Sequence, residues 1–202
     1  MRSLFIALCL VILAAACKKG TGGGNSGSRN GISNKEQSVA AFKTIDSLWE
    51  NAIENTLGTE QGEFKYSDKV LQNSSGGQAT INGTRSATGT GSYYIASGYG
   101  ITDVSIMFQD YNVNGTILNG DLTVYLKYNF RNCSSSLPSC KELNDRSLKY
   151  TSKKLSIKFS YNGKSIEDVI ALTAIREKTK SSTKPWEINI TNSANQVYSF
   201  EL

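Results

Sequence analysis

Apolar residues recur every three or four positions between Lys35 and Leu57. They are Val39, Phe42, Ile45, Leu48, Trp49, Ala52, Ile53 and Leu57. This spacing predicts an amphipathic helix with one buried face. Ser33 or Asn34 is a suitable N-terminal cap, and Gly58 is a suitable end. We interpret this helix as packing on a sheet, with binding to a partner as the alternative.

After Gly62 the apolar period becomes two. Leu122, Val124, Leu126, Tyr128 and Phe130 alternate with polar residues, and so do Leu155, Ile157, Phe159 and Tyr161. Alternation of this kind is typical of strands with one buried and one solvated face, which pair antiparallel. The pattern predicts strands near 62–71, 77–90, 92–98, 102–113, 116–131, 148–161, 165–177, 185–191 and 196–202. The stretch 165–177 also fits a helix that begins at Ser165.

Four Asn-Gly dipeptides punctuate the predicted strands: Asn82-Gly83, Asn114-Gly115, Asn119-Gly120 and Asn162-Gly163. Each favours a tight hairpin turn. The predicted fold class is therefore α+β and mostly β. One long N-terminal helix packs on an antiparallel β-sandwich or a partly closed β-barrel.

Composition limits the chemistry of the protein. The 202 residues include no histidine, which excludes histidine-based triads and histidine-ligated metals. No other catalytic or metal-ligating arrangement stands out, so we expect no cofactor, no metal and no enzymatic activity. Asp103, Asp110 and Asp121 are candidates for paired carboxylates, but nothing in their spacing distinguishes them. The net charge of +5 is well short of that of a dedicated nucleic-acid binder.

The first residues determine the expected compartment. Met1 and Arg2 precede an uncharged apolar run from Leu4 to Ala16. As a helix this run would span roughly 20 Å, too short for a bilayer core of about 30 Å. A positive start, an apolar run and small residues before a break predict a secretory signal peptide at residues 1–16.

The small residues end on a cysteine, in the order Leu13-Ala14-Ala15-Ala16-Cys17. This resembles the lipobox of bacterial lipoproteins, although Ala14 stands where the family usually has leucine. The resemblance implies that Cys17 is lipidated and becomes the mature N-terminus. Lys18 and Lys19, in place of the aspartate that retains such proteins at the inner membrane, favour the outer membrane. Ordinary signal cleavage that leaves a free thiol is the alternative.

Residues 17–34 follow as a lipidated cysteine and a Gly/Ser/Asn-rich stretch, the composition of a flexible tether. Residues 35–202 then form the predicted helix-plus-strand domain. Cys133 and Cys140 flank a short turn between two strands. In an oxidising compartment such a pair predicts a structural disulfide.

Two surface features are candidates for binding. Basic residues are concentrated in 141–184, where Lys149, Lys153, Lys154, Lys158 and Lys164 would form one basic face. Such a face suits anionic head groups or an acidic partner, although lysines on a strand are also typical of a solvated side. Tyr93, Tyr94 and Tyr99 lie among glycines and suit a binding patch. The candidate patch therefore comprises Tyr93, Tyr94, Tyr99, Lys154 and Lys158.

Together these features predict a lipid-anchored envelope lipoprotein. Its domain is expected to be a non-enzymatic binding or structural module with an envelope or extracellular partner and no nucleic-acid partner. The alternative function is that of a carrier, in which the sheet and the helix enclose a lipid or another apolar ligand. A carrier requires an apolar cavity of a few hundred Å³ with few polar groups.

Overall fold

The computed structural model describes residues 30–57, 62–92, 95–133, 145–179 and 181–202. A continuous helical run opens this part of the chain: α1 (Lys35–Leu48), a π-helical turn (Trp49–Ile53) and α2 (Glu54–Thr56). Asn34 caps α1, because its Oδ1 accepts a hydrogen bond from the backbone N–H of Gln37 at 2.9 Å. The predicted helix is therefore present, with Asn34 as its N-cap.

The π turn keeps the buried residues on one face. Trp49, Ile53 and Leu57 are all buried and lie four positions apart. In a regular α-helix each step of four residues drifts by about 40° around the axis. The wider π turn offsets that drift, so these side chains continue to face the sheet.

In the described part of the chain, eight strands form one antiparallel sheet in which every strand pairs with its neighbours in the chain. They are β1 (Gly62–Gln72), β2 (Gln78–Ser92), β3 (Ile95–Val113), β4 (Thr116–Cys133), β5 (Arg146–Tyr161), β6 (Lys164–Lys178), β7 (Glu187–Thr191) and β8 (Val197–Glu201). The fold class is thus α+β and mostly β, as predicted.

Two strand predictions needed the structure to settle them. The stretches 92–98 and 102–113 were predicted as separate strands, but residues 95–98 and 102–113 belong to the single strand β3, and Ser92 is the last residue of β2. The ambiguous stretch 165–177 is strand β6, because Ile166, Asp168, Ile170 and Leu172 are buried at alternate positions.

The sheet curls around the helix without closing. Seven spacings of about 4.8 Å would make a flat sheet roughly 34 Å wide, whereas a helix is about 10 Å across. The inward residues of β2 to β7 are nevertheless buried, so the strands must wrap around the helical run. An aromatic cluster lies at the centre, where the Tyr150 and Trp186 rings stack at 5.2 Å and Phe42 meets Trp186 edge-on at 5.0 Å. Of the two predicted arrangements, this single sheet is closer to the partly closed barrel.

Two bulges share one hydrogen-bonding pattern. Asp68 and Asp110 both have a positive φ, of 51° and 49°. The N–H of each aspartate donates to an asparagine Oδ1 on the adjacent strand at 2.8 Å. Asn82 accepts from Asp68, and Asn119 accepts from Asp110. Each asparagine side chain also donates back to the carboxylate. Bulges of this kind bend a sheet, which is what wrapping around a helix requires.

Two of the four predicted hairpin turns are not turns, because their asparagines bind these bulges from within a strand. Asn114-Gly115 and Asn162-Gly163 form hairpin turns with positive φ at both residues. Asn82-Gly83 and Asn119-Gly120 instead lie inside β2 and β4. A Cβ at Gly120 would clash with the carbonyl oxygen of Lys154, so glycine is needed there for a close approach between strands.

The segment before α1 is packed against the sheet. Ile32 is 1% exposed, and its N–H donates to Oδ2 of buried Asp168 at 2.8 Å. Its carbonyl accepts from Asn192 Nδ2 at 2.7 Å, and the Asn30 carbonyl accepts from the Glu167 N–H at 3.1 Å. We call these contacts the N-terminal clamp. Residues 30–34 were predicted to belong to the tether, but the packed unit already includes them.

Candidate functional site

A charged cluster joins the end of the helical run to the sheet. Arg146 lies 3.1 Å from Glu54 and 3.7 Å from Glu50, and Arg176 lies 3.0 Å from Glu50. The Arg146 side chain is only 10% exposed. Arg176 also lies over the Trp186 ring, 4.6 Å from its centroid. We call these four charged residues the arginine cluster.

The positions of these residues follow from local periodicity. Glu50 and Glu54 are one turn apart on the helical run, so both face the same strands. Arg146 and Arg176 share the inward parity of their strands with Leu148 and Ala174, which are buried. The cations also lie near the C-terminal half of the helix, where its dipole favours positive charge.

One turn before the cluster, a tyrosine donates to a carboxylate. The Tyr150 hydroxyl donates to Asp46 Oδ1 at 2.8 Å. Burial raises the pKa of Asp46 above its ordinary value of 3.8, and the hydrogen bond from Tyr150 opposes that rise. Burial and the nearby Asp46 charge raise the pKa of Tyr150 well above 10.0. The hydroxyl therefore keeps its proton and acts as a donor rather than as a base.

Two cavities flank the arginine cluster and share Arg146 and Lys178 among their lining residues. One has a volume of about 290 Å³ and is also lined by Lys127, Asn129 and Asp145. The other, of about 210 Å³, is lined by Glu50 and Arg176 as well. The wall of the smaller cavity is mostly polar and suits polar groups better than an acyl chain, whereas the wall of the larger one is mostly apolar between its charged residues.

Lysines follow the outer face of β5. A bulge between Ser152 and Leu155 adds one residue to the strand and reverses its alternation. As a result Lys149, Lys153, Lys154 and Lys158 are all exposed, although their numbers do not share one parity. A third cavity, of about 480 Å³, lies beside Lys153 and Asp121. The basic face suggested by the sequence thus includes these four lysines, with Lys164 exposed at the next turn.

Of the described residues of the predicted binding patch, Lys154 and Lys158 share the outer face of β5, whereas Tyr99 lies apart from them. Tyr99 pairs with Asn129 across β3 and β4, and Lys158 pairs with Ile117 across β4 and β5. Asn129 and Ile117 are near opposite ends of β4, about 40 Å apart at 3.3 Å per residue. Tyr99 is therefore not part of a surface cluster with Lys158.

Several predicted residues lie outside the described part of the chain. These are Cys17, Tyr93, Tyr94 and Cys140. Cys133 ends β4, but its side chain is not among those described. The lipidation site and the Cys133–Cys140 disulfide therefore remain predictions.

The candidate carboxylates do not form a pair. Asp103 lies opposite Tyr125, whereas Asp121 lies opposite Met107. Four residues of strand separate the two registers, about 13 Å, which exceeds the spacing of paired glycosidase carboxylates. Asp110 takes part in its bulge with Asn119.

Sequence reasoning missed the arginine cluster. The available signal was that Arg146 and Arg176 occupy inward positions of their strands, whereas the lysines of β5 occupy outward ones. Asp46, Glu50 and Glu54 also recur every four residues along a helix that is otherwise largely apolar on its buried side. Acidic residues at this spacing indicate basic partners on the sheet.

Comparisons with known proteins add no identification. No protein-family model, curated protein or solved structure matches the chain. No helix in the described part is long and apolar enough to cross a membrane. Within the same residues, no group of three or more cysteine or acidic side chains is arranged to hold a metal ion.

Proposed function

We propose that this chain is a lipid-anchored lipoprotein of the bacterial cell envelope, attached through Cys17 and directed to the outer membrane. Its domain serves as a non-enzymatic binding or structural module. The observation that supports this best is the N-terminal clamp. Asn30 and Ile32, near the end of the predicted tether, are bound to β6 and to Asn192. A tethered domain needs such a fixed point, where the chain from the anchor enters the fold.

The concave side of the sheet is filled by packed side chains, which supports a binding or structural module over a carrier of an apolar ligand. Phe42, Trp49, Tyr150 and Trp186 occupy the concave side, and each is at most 3% exposed. Their rings contact one another and leave this part of the interior packed. Of the cavities beside the arginine cluster, the one of about 210 Å³ has a mostly polar wall, whereas an apolar ligand requires a mostly apolar one. The cavity of about 290 Å³ has a mostly apolar wall and is the one that the carrier alternative would use.

Metabolic labelling with a fatty-acid probe tests the anchor. The wild-type chain should incorporate the probe and fractionate with membranes. The Cys17→Ser variant should lose the label, whereas Cys133→Ser, a matched change at another cysteine, should keep it. Label retained in Cys17→Ser would refute the anchor.

Native mass spectrometry separates the module from the carrier. Protein purified from its own host should show the mass of the lipidated chain alone. A further lipid that survives purification and leaves on activation would favour the carrier instead.

A further inference from the structure

We propose that the cavity of about 480 Å³ on the outer face of β4, β5 and β6 binds a neutral carbohydrate. Thr123, Thr151 and Thr173 line it, together with Asp121 and Lys153. We call it the threonine cavity. This inference rests on the proposed function as a binding module and adds to it the chemical class of the ligand.

The three threonines form one row across the strands. Thr123 lies directly opposite Thr151 in the β4–β5 register, and Thr151 lies directly opposite Thr173 in the β5–β6 register. Each stands between two buried residues of its own strand, so all three side chains point outward, about 5 Å apart from strand to strand. Within the described residues, none of their hydroxyls forms a hydrogen bond with the protein. Farther along the same outer face, by contrast, the Ser199 hydroxyl donates to Asn189 Oδ1 at 2.6 Å.

A break in strand pairing lies beside this row and coincides with the cavity. The β4–β5 register shifts between Gly120 and Thr123, and the β5–β6 register shifts between Ser152 and Leu155. Ser152, which lines the cavity, is 8% exposed, and its Oγ has no hydrogen-bond partner in the described part of the chain. A buried hydroxyl without a partner is costly, and a polar group of a ligand would offset that cost. The volume of about 480 Å³ is within the range of about 300–1,000 Å³ that is typical of small-molecule sites.

The wall of the cavity suits a neutral polyol better than a charged ligand. Asp121 and Lys153 contribute one charge of each sign, so the wall has no net charge. Neither forms an ion pair within the described residues, and both are therefore available to the hydroxyl groups of a ligand. The threonine methyl groups and Leu172 supply apolar surface between these polar groups. A sugar combines the same two features, because its hydroxyls project from a ring whose faces carry C–H groups.

An exposed tyrosine adjoins the row of threonines. Tyr125 is two residues after Thr123 on the outer face of β4, about 7 Å away, and is 37% exposed. Its ring offers a flat apolar face with a polar hydroxyl at one end. The tyrosine ring and the threonine hydroxyls thus provide the stacking contact and the hydrogen bonds that a sugar ring makes.

Titration of the full chain with neutral disaccharides tests this proposal. The lipidated protein is held in a detergent without a sugar head group, and maltose, cellobiose, lactose and N,N′-diacetylchitobiose are added separately. Saturation-transfer NMR should show saturable binding of at least one of them at millimolar concentration. Thr151→Val, which removes the hydroxyl and keeps the shape, should raise that dissociation constant about tenfold. Thr84→Val, the matched change at an exposed position of β2, should leave it unchanged.

A second pair of variants tests the stacking contact. Tyr125→Leu should weaken binding several-fold, whereas Tyr99→Leu, at an exposed tyrosine of β3, should not. Urea denaturation of the four variants checks that each is folded, so that a loss of binding reports on the site.

The possible failures are distinguishable. If none of the four disaccharides binds, or if Thr151→Val and Tyr125→Leu both bind as wild type does, the carbohydrate site is overturned, while the anchor, scored by labelling of Cys17, is unaffected. Sugar binding by a chain whose Cys17 carries no lipid would support the site and contradict the anchor.

Discussion

The segment before the helix and the second half of the helix meet the sheet through different chemistry. At the N-terminal clamp, Ile32 and Asp168 are 1% and 4% exposed, and their contacts are direct hydrogen bonds. At the arginine cluster the contacts are ion pairs, of which Arg146–Glu54 is 10% and 13% exposed, whereas both pairs of Glu50 include a side chain that is 40% exposed. Hydrogen bonds out of water are costly to break, whereas the exposed pairs of Glu50 are screened. The clamp is therefore the firmer attachment, which suits the end that receives the anchored chain.

Removing the Asp168 carboxylate from the clamp should give the largest loss in the free energy of unfolding. Asp168 accepts from the N–H groups of Ile32, Val169 and Ser193. Asp168→Ala leaves these donors without their acceptor and should lower the free energy of unfolding by about 3 kcal/mol. Urea denaturation measures this. The neighbouring Glu167→Ala, which removes an ion pair at 4.0 Å, should cost less than about 1 kcal/mol. Equal losses would show that the clamp is no stronger than a surface contact.

Removing a cation from the arginine cluster should lower the free energy of unfolding by less than Asp168→Ala does, and this loss should depend on salt. Arg146→Ala leaves Glu54, only 13% exposed, without this cation, and should lower the free energy of unfolding by about 2 kcal/mol. The loss should shrink in high salt, and adding Glu54→Gln should recover part of it. Lys149→Ala, on the outer face of the same strand, is the control. A loss as large as that of Asp168→Ala and insensitive to salt would remove the distinction between the two regions.

The hydrogen bonds at the two bulges lie outside both the clamp and the arginine cluster, and they give a reference value for the cost of losing such bonds. Asn119→Ala removes two hydrogen bonds to Asp110 at its bulge and should cost about 1 kcal/mol. Asn82→Ala should cost the same, because Asp68 makes the equivalent pair of bonds. Denaturation under the same conditions provides both values. Unequal costs would show that the two bulges differ in strength despite their shared geometry.

The smallest effect is expected at Asp46. Because burial raises its pKa in the folded state, ionisation of Asp46 weakens folding. The favourable contribution of the protonated form is full below the ordinary pKa of 3.8 and is lost as the pH rises through the raised value. Asp46→Asn keeps an acceptor for Tyr150 and should be as stable as wild type at neutral pH, or more stable by up to about 1 kcal/mol. The difference should vanish in acid, and a gain that grows as the pH falls would contradict this account.

Periodicity was sufficient to predict most of the fold. The helix and the strands follow from spacings of 3.6 and two, because a single core imposes one buried face on each element. The four Asn-Gly dipeptides show the limit of local signals. Asn114 lies in a hairpin turn, whereas Asn119, five residues later, holds a bulge on the adjacent strand. The Asn-Gly dipeptide is compatible with both positions, and the pairing between strands determines which of them it occupies.

The candidate sites depended more strongly on tertiary contacts. Arg146 and Glu54 are 92 positions apart in the chain, so no local pattern could pair them. Ile32 was assigned to the tether because its neighbours are glycine, serine and asparagine, yet one buried aspartate far along the chain fixes it. The lysines of β5 could be foreseen because they depend only on the outward face of one strand. The bulge that brings Lys153 and Lys154 to the same face could not be predicted from the sequence.

The N-terminal peptide of the protein isolated from its own host tests the central claim most directly. Mass spectrometry should find a mature chain that begins at Cys17 and carries the mass of a diacylglycerol group and an N-linked acyl chain. Digestion of the intact membrane-bound protein should release the domain only after cleavage between Cys17 and Asn30. A mature chain that begins elsewhere, or an unmodified Cys17, would contradict the lipid anchor and the function proposed from it.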